Sequence, residues 1–262
     1  MTAAVLRDAK SIASSAIVRG GLITETWAVL RSWQFDASEP DNFNRLLQHD
    51  VTGAVSESWR RDILGAVRRR LSPGESDAPL TVLAQAGMPL ETWKPLLLWH
   101  ITRNEFLLRD FLSGFLWDEY SSGSHHVQRD AVVKYLSERR IQSKLKRPWG
   151  SAFLRRTANG LLQIATDFGF LTGTLHKEFA SYHLPEESFI YLLHAMADVE
   201  PNARRIVDAE DWHMYLMDTA DVERELLRLH QFRKVHYEVA GSLAQLKLPH
   251  GSSADYAREL CA

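Results

Sequence analysis

Between Arg129 and Arg156 the chain carries nine basic side chains, Arg129, Lys134, Arg139, Arg140, Lys144, Lys146, Arg147, Arg155 and Arg156, against Asp130 and Glu138. The local charge of +7 stands in a chain whose formal net charge is −2. Guanidinium and ammonium groups at that density neutralise phosphate, and each phosphate contact releases counterions. Such a segment binds nucleic acid with a strong dependence on salt and little on sequence. Directly after it, "SAFLRRTANGLLQIATDF" at 151–168 puts Leu154, Ala158, Leu161, Ala165 and Phe168 on one helical stripe. Arg155, Arg156, Asn159 and Gln163 are left for the exposed face, and all are types that reach base edges in a major groove or grip phosphate. The candidate DNA-contacting set is therefore Arg139, Arg140, Lys144, Lys146 and Arg147 for phosphate, with Arg155, Arg156, Asn159 and Gln163 on the helix. A run of charge also suits a solvated face or an acidic protein surface, and the sequence leaves both open.

Other reactive chemistry is sparse. There is no Gly-rich phosphate loop ending in Lys-Ser or Lys-Thr, no dinucleotide fingerprint and no His-Glu-x-x-His, so no catalytic residue, metal site or cofactor is assigned. The pair His125 and His126 lies in a polar Gly/Ser-rich stretch and reads as exposed linker. In "DAEDWHMYLMD" at 208–218, Asp211 reads as the cap of a short helix with Trp212, Tyr215 and Leu216 in the core. Trp149 follows "KLKRP" and either stacks on a base or packs where the next helix begins, with packing the stronger reading. The single cysteine, Cys261, cannot form an internal disulfide, which fits a reducing cytosol. The most apolar window, 95–117, is broken by His100, Arg103, Glu105, Arg109 and Asp110, so it reads as core helices and not as a membrane span. With no signal-peptide pattern at the start, a cytoplasmic protein without membrane contact is expected.

These residues need elements to position them. With 262 residues, 45% apolar and 24% charged, the chain can bury a core without metal or disulfide. "GGLITETWAVLRSW" places Leu22, Ile23, Trp27 and Leu30 at helical spacing, with Thr24 as the cap candidate. "SESWRRDILGAVRRRL" does the same with Trp59, Ile63, Val67 and Leu71 behind Ser56. Helices at about 90–101 and 104–118 are rich in Leu, Phe and Trp and predict the centre of a bundle. The period then changes to two in two places, predicting short hairpins near 169–184 and 234–248. In the second, Val222, Leu226, Leu229 and Phe232 form the buried helical face. Val235, Tyr237 and Val239 then alternate towards a turn at "AGS", answered by Ala244, Leu246 and Leu248.

A helix followed by a hairpin, twice, is the outline of two winged-helix units. The expected fold class is all-α dominated, a helical bundle with winged-helix or helix-turn-helix units carrying short β-hairpins. The expected divisions are 1–119, a helical bundle; 120–197, a basic winged-helix-like unit after the polar stretch 120–130; and 198–262, a C-terminal winged-helix-like unit and tail. The last part has a net charge of −4, and Glu223 and Glu225 flank Arg224, so its helix is expected to add less to DNA binding.

"GGLITETWAVL" near the start and "DWHMYLMDTADVERELLRLHQFRKVHYEVAGSLAQLKLP" near the end resemble the BrxA family, components of BREX bacteriophage-exclusion systems. The resemblance runs from about residue 12 to 249 and leaves "HGSSADYARELCA" outside. It implies helix-turn-helix or winged-helix units within a helical architecture similar in part to the antitermination factor NusB. It also implies a non-enzymatic double-stranded DNA binder in a phage-defence assembly, with other BREX proteins as further partners. An adaptor role within that assembly, or RNA binding like NusB, are the alternatives. No family motif fixes the DNA contacts residue by residue, so the set above rests on charge pattern alone.

Overall fold

The computed structural model describes residues 16–138, 141, 148–241 and 243–261. The first part is a bundle of α1 (Ile23–Arg31), α2 (Glu39–Gln48), α3 (Glu57–Arg70), α4 (Ala78–Gln85) and α5 (Leu90–Thr102). α6 (Phe106–Asp110) continues through a π-helical segment, Phe111–Leu116, into α7 (Trp117–Ser121). Then come β1 (His126–Val127), α8 (Arg129–Ser137), α9 (Ser151–Asp167), β2 (Leu171–Thr172), β3 (Lys177–Phe179) and α10 (Glu186–Ala197). The chain continues with α11 (Ala203–Val207), a 3-10 segment Glu210–Tyr215, α12 (Thr219–Gln231), the strands β4 (His236–Ala240) and β5 (Leu243–Lys247), and α13 (Ser253–Glu259).

Local chemistry explains several helix starts. Ser56 Oγ accepts the Trp59 amide at 3.2 Å, as its position before an apolar stripe predicts. Asp218 and Asp221 form a reciprocal capping box at the head of α12. Thr24 does not cap α1. That helix begins after Leu22, held in the left-handed region at φ 52, and the Thr24 hydroxyl donates to Glu25 instead. The reason lies upstream: buried Arg70 donates to the carbonyls of Ala16, Gly20 and Gly21, fixing how the chain enters the helix.

Both expected hairpins are present. β4 and β5 pair antiparallel with Tyr237 opposite Leu246, turning at Gly241 with φ 63. The first hairpin is wider than expected, because β1 joins it and gives a three-stranded sheet in the order β1-β3-β2. His126 pairs with Glu178, and Val127 is buried. The polar stretch expected as a linker thus supplies an edge strand. Phe232 leaves the stripe predicted for it: α12 ends at Gln231, Arg233 turns the chain at φ 58, and the Phe232 ring is 64% exposed beside the Arg228 guanidinium. Val222, Leu226 and Leu229 are fully buried as expected.

One buried cluster runs through all three expected divisions. α10 packs against α5 and α13, and α13 packs against α4.

Candidate nucleic-acid interface

The buried side of α9 is built from Ala158, Leu161, Ile164 and Ala165, each without exposed surface, while Arg155, Arg156, Asn159 and Gln163 are exposed. The 3.6-residue period therefore delivers the predicted face. Gly160 lies against the 3-10 turn Ile17–Arg19, and Asp167 Oδ2 accepts the Gly21 amide at 2.8 Å. The other Asp167 oxygen accepts from Gln163 Nε2 at 2.7 Å, which orients that amide along the helix. Gly169, at φ 88, ends α9 as its position predicts, and the Phe170 amide returns to Ala165 O at 2.9 Å.

The chain then enters the sheet. The β2–β3 turn is closed by Gly173 at φ 88, where an added Cβ would sit 2.1 Å from His176 O. Lys177 Nζ donates to Gly173 O at 2.7 Å across the same turn. An open groove of about 860 Å³ has Arg129, Asn159 and Gln163 along one part of its lining and Leu175, His176 and Lys177 along another.

Of the predicted residues, the fold thus brings Asn159 and Gln163 to this groove and leaves Arg155 and Arg156 exposed on the same helical face. Arg139, Arg140, Lys144, Lys146 and Arg147 lie outside the described residues. Sequence reasoning missed His176 and Lys177, and it counted Arg129 only as charge. It also placed His126 in a linker, although this residue is on β1 and lines the groove. Trp149 is partly buried and meets Phe153 edge-on at 4.9 Å, which is the packing reading.

The sequence matches the BrxA family over residues 13–195. The chain belongs to the BrxA family. Membership makes it a component of a BREX phage-defence system, with other BREX proteins as the partners to expect. The matched residues contain α9, the sheet and the groove, and they end before α11 and α12. No curated protein matches the sequence. Among the described residues of this BrxA-family chain, no helix is long and apolar enough to cross a membrane. Among the same residues, no group of three or more His, Cys, Asp or Glu could hold a metal ion.

The charges on α12 are spoken for. Arg224 pairs with Asp221 at 2.7 Å, and Arg228 lies between Glu186 at 2.7 Å and Glu225 at 2.5 Å. Lys234 also reaches Glu186, and Arg204 meets Glu223 at 2.8 Å. Asp211 is not a helix cap: half-buried, it accepts from Arg103 at 2.5 Å and Arg109 at 3.0 Å. Burial raises its carboxyl pKa, but the two guanidiniums outweigh that and hold it below the usual carboxylate range.

Proposed function

We propose that this chain is a non-enzymatic, cytoplasmic, double-stranded DNA-binding component of its phage-defence assembly. In this reading β1, α8, α9, β2 and β3 act as a winged helix that presents α9 to the major groove. The observation that carries it is the shared groove, lined by Asn159 and Gln163 of α9 together with His176 and Lys177 of the β2–β3 hairpin. Amide side chains offer hydrogen bonds to base edges, and Arg155, Arg156 and Lys177 offer charge to phosphate, while Arg129 is paired with Asp130 at 3.6 Å at the groove's edge. The residues between α8 and α9 add five further cations by sequence, Arg139, Arg140, Lys144, Lys146 and Arg147.

The test is a titration with unrelated duplex DNA, duplex RNA and single strands over a range of salt. If about five basic side chains meet phosphate, log affinity against log salt falls with a slope of roughly −4 to −5, similar for duplexes of unrelated sequence. A slope near zero, or a preference for duplex RNA, overturns the proposal. Failure to retain any nucleic acid at low salt favours the second reading, an adaptor for other BREX proteins. That reading draws support from α12, where the cations are paired within the chain while Leu227 and Phe232 stay exposed.

A further inference from the structure

Leu175 stands at the tip of the β2–β3 turn with 92% of its surface exposed. A single exposed leucine is ordinary on a protein surface. This one is held out on a turn pinned from two sides, by the backbone that only Gly173 permits and by the Lys177 bond to Gly173 O. It also lines the groove to which α9 contributes Asn159 and Gln163, so the tip and the helix face one space. His176 and Lys177 follow it, placing polar and cationic groups directly behind the apolar one.

We infer that Leu175 is an apolar wedge for duplex DNA: it enters the minor groove beside the major-groove segment occupied by α9, partly unstacks a base step and bends the duplex. This rests on the duplex-binding reading above and adds a deformation to it. The geometry suits the purpose. A minor groove about 6 Å wide admits a two-stranded tip bearing one side chain but not a helix. Leucine is among the side chains that proteins insert between base steps, at the cost of unstacking and with the return of a wider wrapped surface. The Gly173 backbone and the Lys177 bond restrain the turn, which lowers the ordering needed on binding. Lys177 is placed to neutralise phosphate along the groove that the wedge enters.

The experiment uses the full chain and a duplex of roughly 30 base pairs with a fluorophore at each end, so that affinity and end-to-end distance are read together. The wild-type chain is expected to shorten that distance on binding. Leu175→Ala is expected to lose most of the bend and to weaken binding about 3- to 10-fold with the salt slope unchanged, since no phosphate contact is removed. Leu175→Met is expected to keep the bend. Because position 175 is exposed, unfolding temperatures should match among the three. Arg155→Ala/Arg156→Ala serves as the control, with weaker binding and a shallower salt slope. If the wild type binds a straight duplex, or Leu175→Ala bends it equally while the arginine control still weakens, the wedge is wrong and the DNA-binding reading stands. If the wild type binds no duplex, both fall.

Discussion

A side chain on Gly160 would begin 2.5 Å from the carbonyl oxygen of Ile17, closer than any real Cβ contact. The neighbouring atoms are backbone, Ile17 C at 3.0 Å and Val18 Cα at 3.1 Å, so no side-chain rotation relieves it. α9 and the turn before α1 therefore approach through glycine, with Asp167 and Arg70 holding the turn from either side.

Gly160→Ala is expected to destabilise the protein by about 1–3 kcal/mol through overpacking. Gly65 is the matched control: it is mid-helix in α3, exposed, with nothing within 4 Å of an added Cβ. Gly65→Ala should stabilise by about 0.5–1 kcal/mol, because alanine loses less freedom on folding. Urea unfolding of both variants checks this, and wild-type stability in Gly160→Ala would mean that the 3-10 turn moves aside at no cost.

Replacing Arg155 and Arg156 together by Ala should weaken duplex DNA binding by on the order of 1–3 kcal/mol. Replacing Arg224 and Arg228 should cost clearly less, because Asp221, Glu225 and Glu186 already satisfy them and repel phosphate. Thermal unfolding must accompany both, since Arg228 also ties α12 to Glu186 at the start of α10. Loss of binding only in the 224/228 variant, with both folded, would move the DNA-reading helix to the other half of the chain.

The protein should lose stability as pH falls from about 6.5 to about 4, in part through His194. Its ring is buried in α10, stacks on Tyr256 at 5.1 Å, and leaves Nε2 without a partner. Burial, and then the neighbouring His250, push its pKa down to about 4, against a smaller opposing pull from Asp198 and Asp255. An unfolded histidine takes up its proton near 6.5. Within that window the unfolded chain binds a proton that the folded chain refuses, so stability falls with falling pH; above it, this group contributes no slope. His194→Phe should flatten the difference in urea midpoint between pH 7 and pH 4.5. Parallel curves for the two proteins would remove His194 from the account.

What could be seen in the sequence is what repeats locally. Val222, Leu226 and Leu229, the Ile63 and Val67 stripe behind Ser56, and Gly169 after α9 each carry their signal within a few residues, and each stands where expected. The same period exposed Arg155, Arg156, Asn159 and Gln163. β1 is two residues long, too short for any period, and its partner Glu178 lies far along the chain. That pairing brings Arg129 and Lys177 to one groove, so they could not be grouped from spacing. Asp211 looked like a cap because acids favour helix starts, but its partners Arg103 and Arg109 come from the preceding bundle, which no local rule reaches.

α13 closes over α4 and α10, burying Tyr256 and Ala257. During synthesis α4 therefore waits for a partner encoded roughly 170 residues later, on the order of 10–30 s at about 5–20 residues per second. Nascent chains halted before Ser253 would present an uncovered surface on both helices and draw chaperones, whereas those carried through Glu259 would not. α4 meets α1 and α5 early in the chain, and the short C-terminal helix supplies the last of its cover.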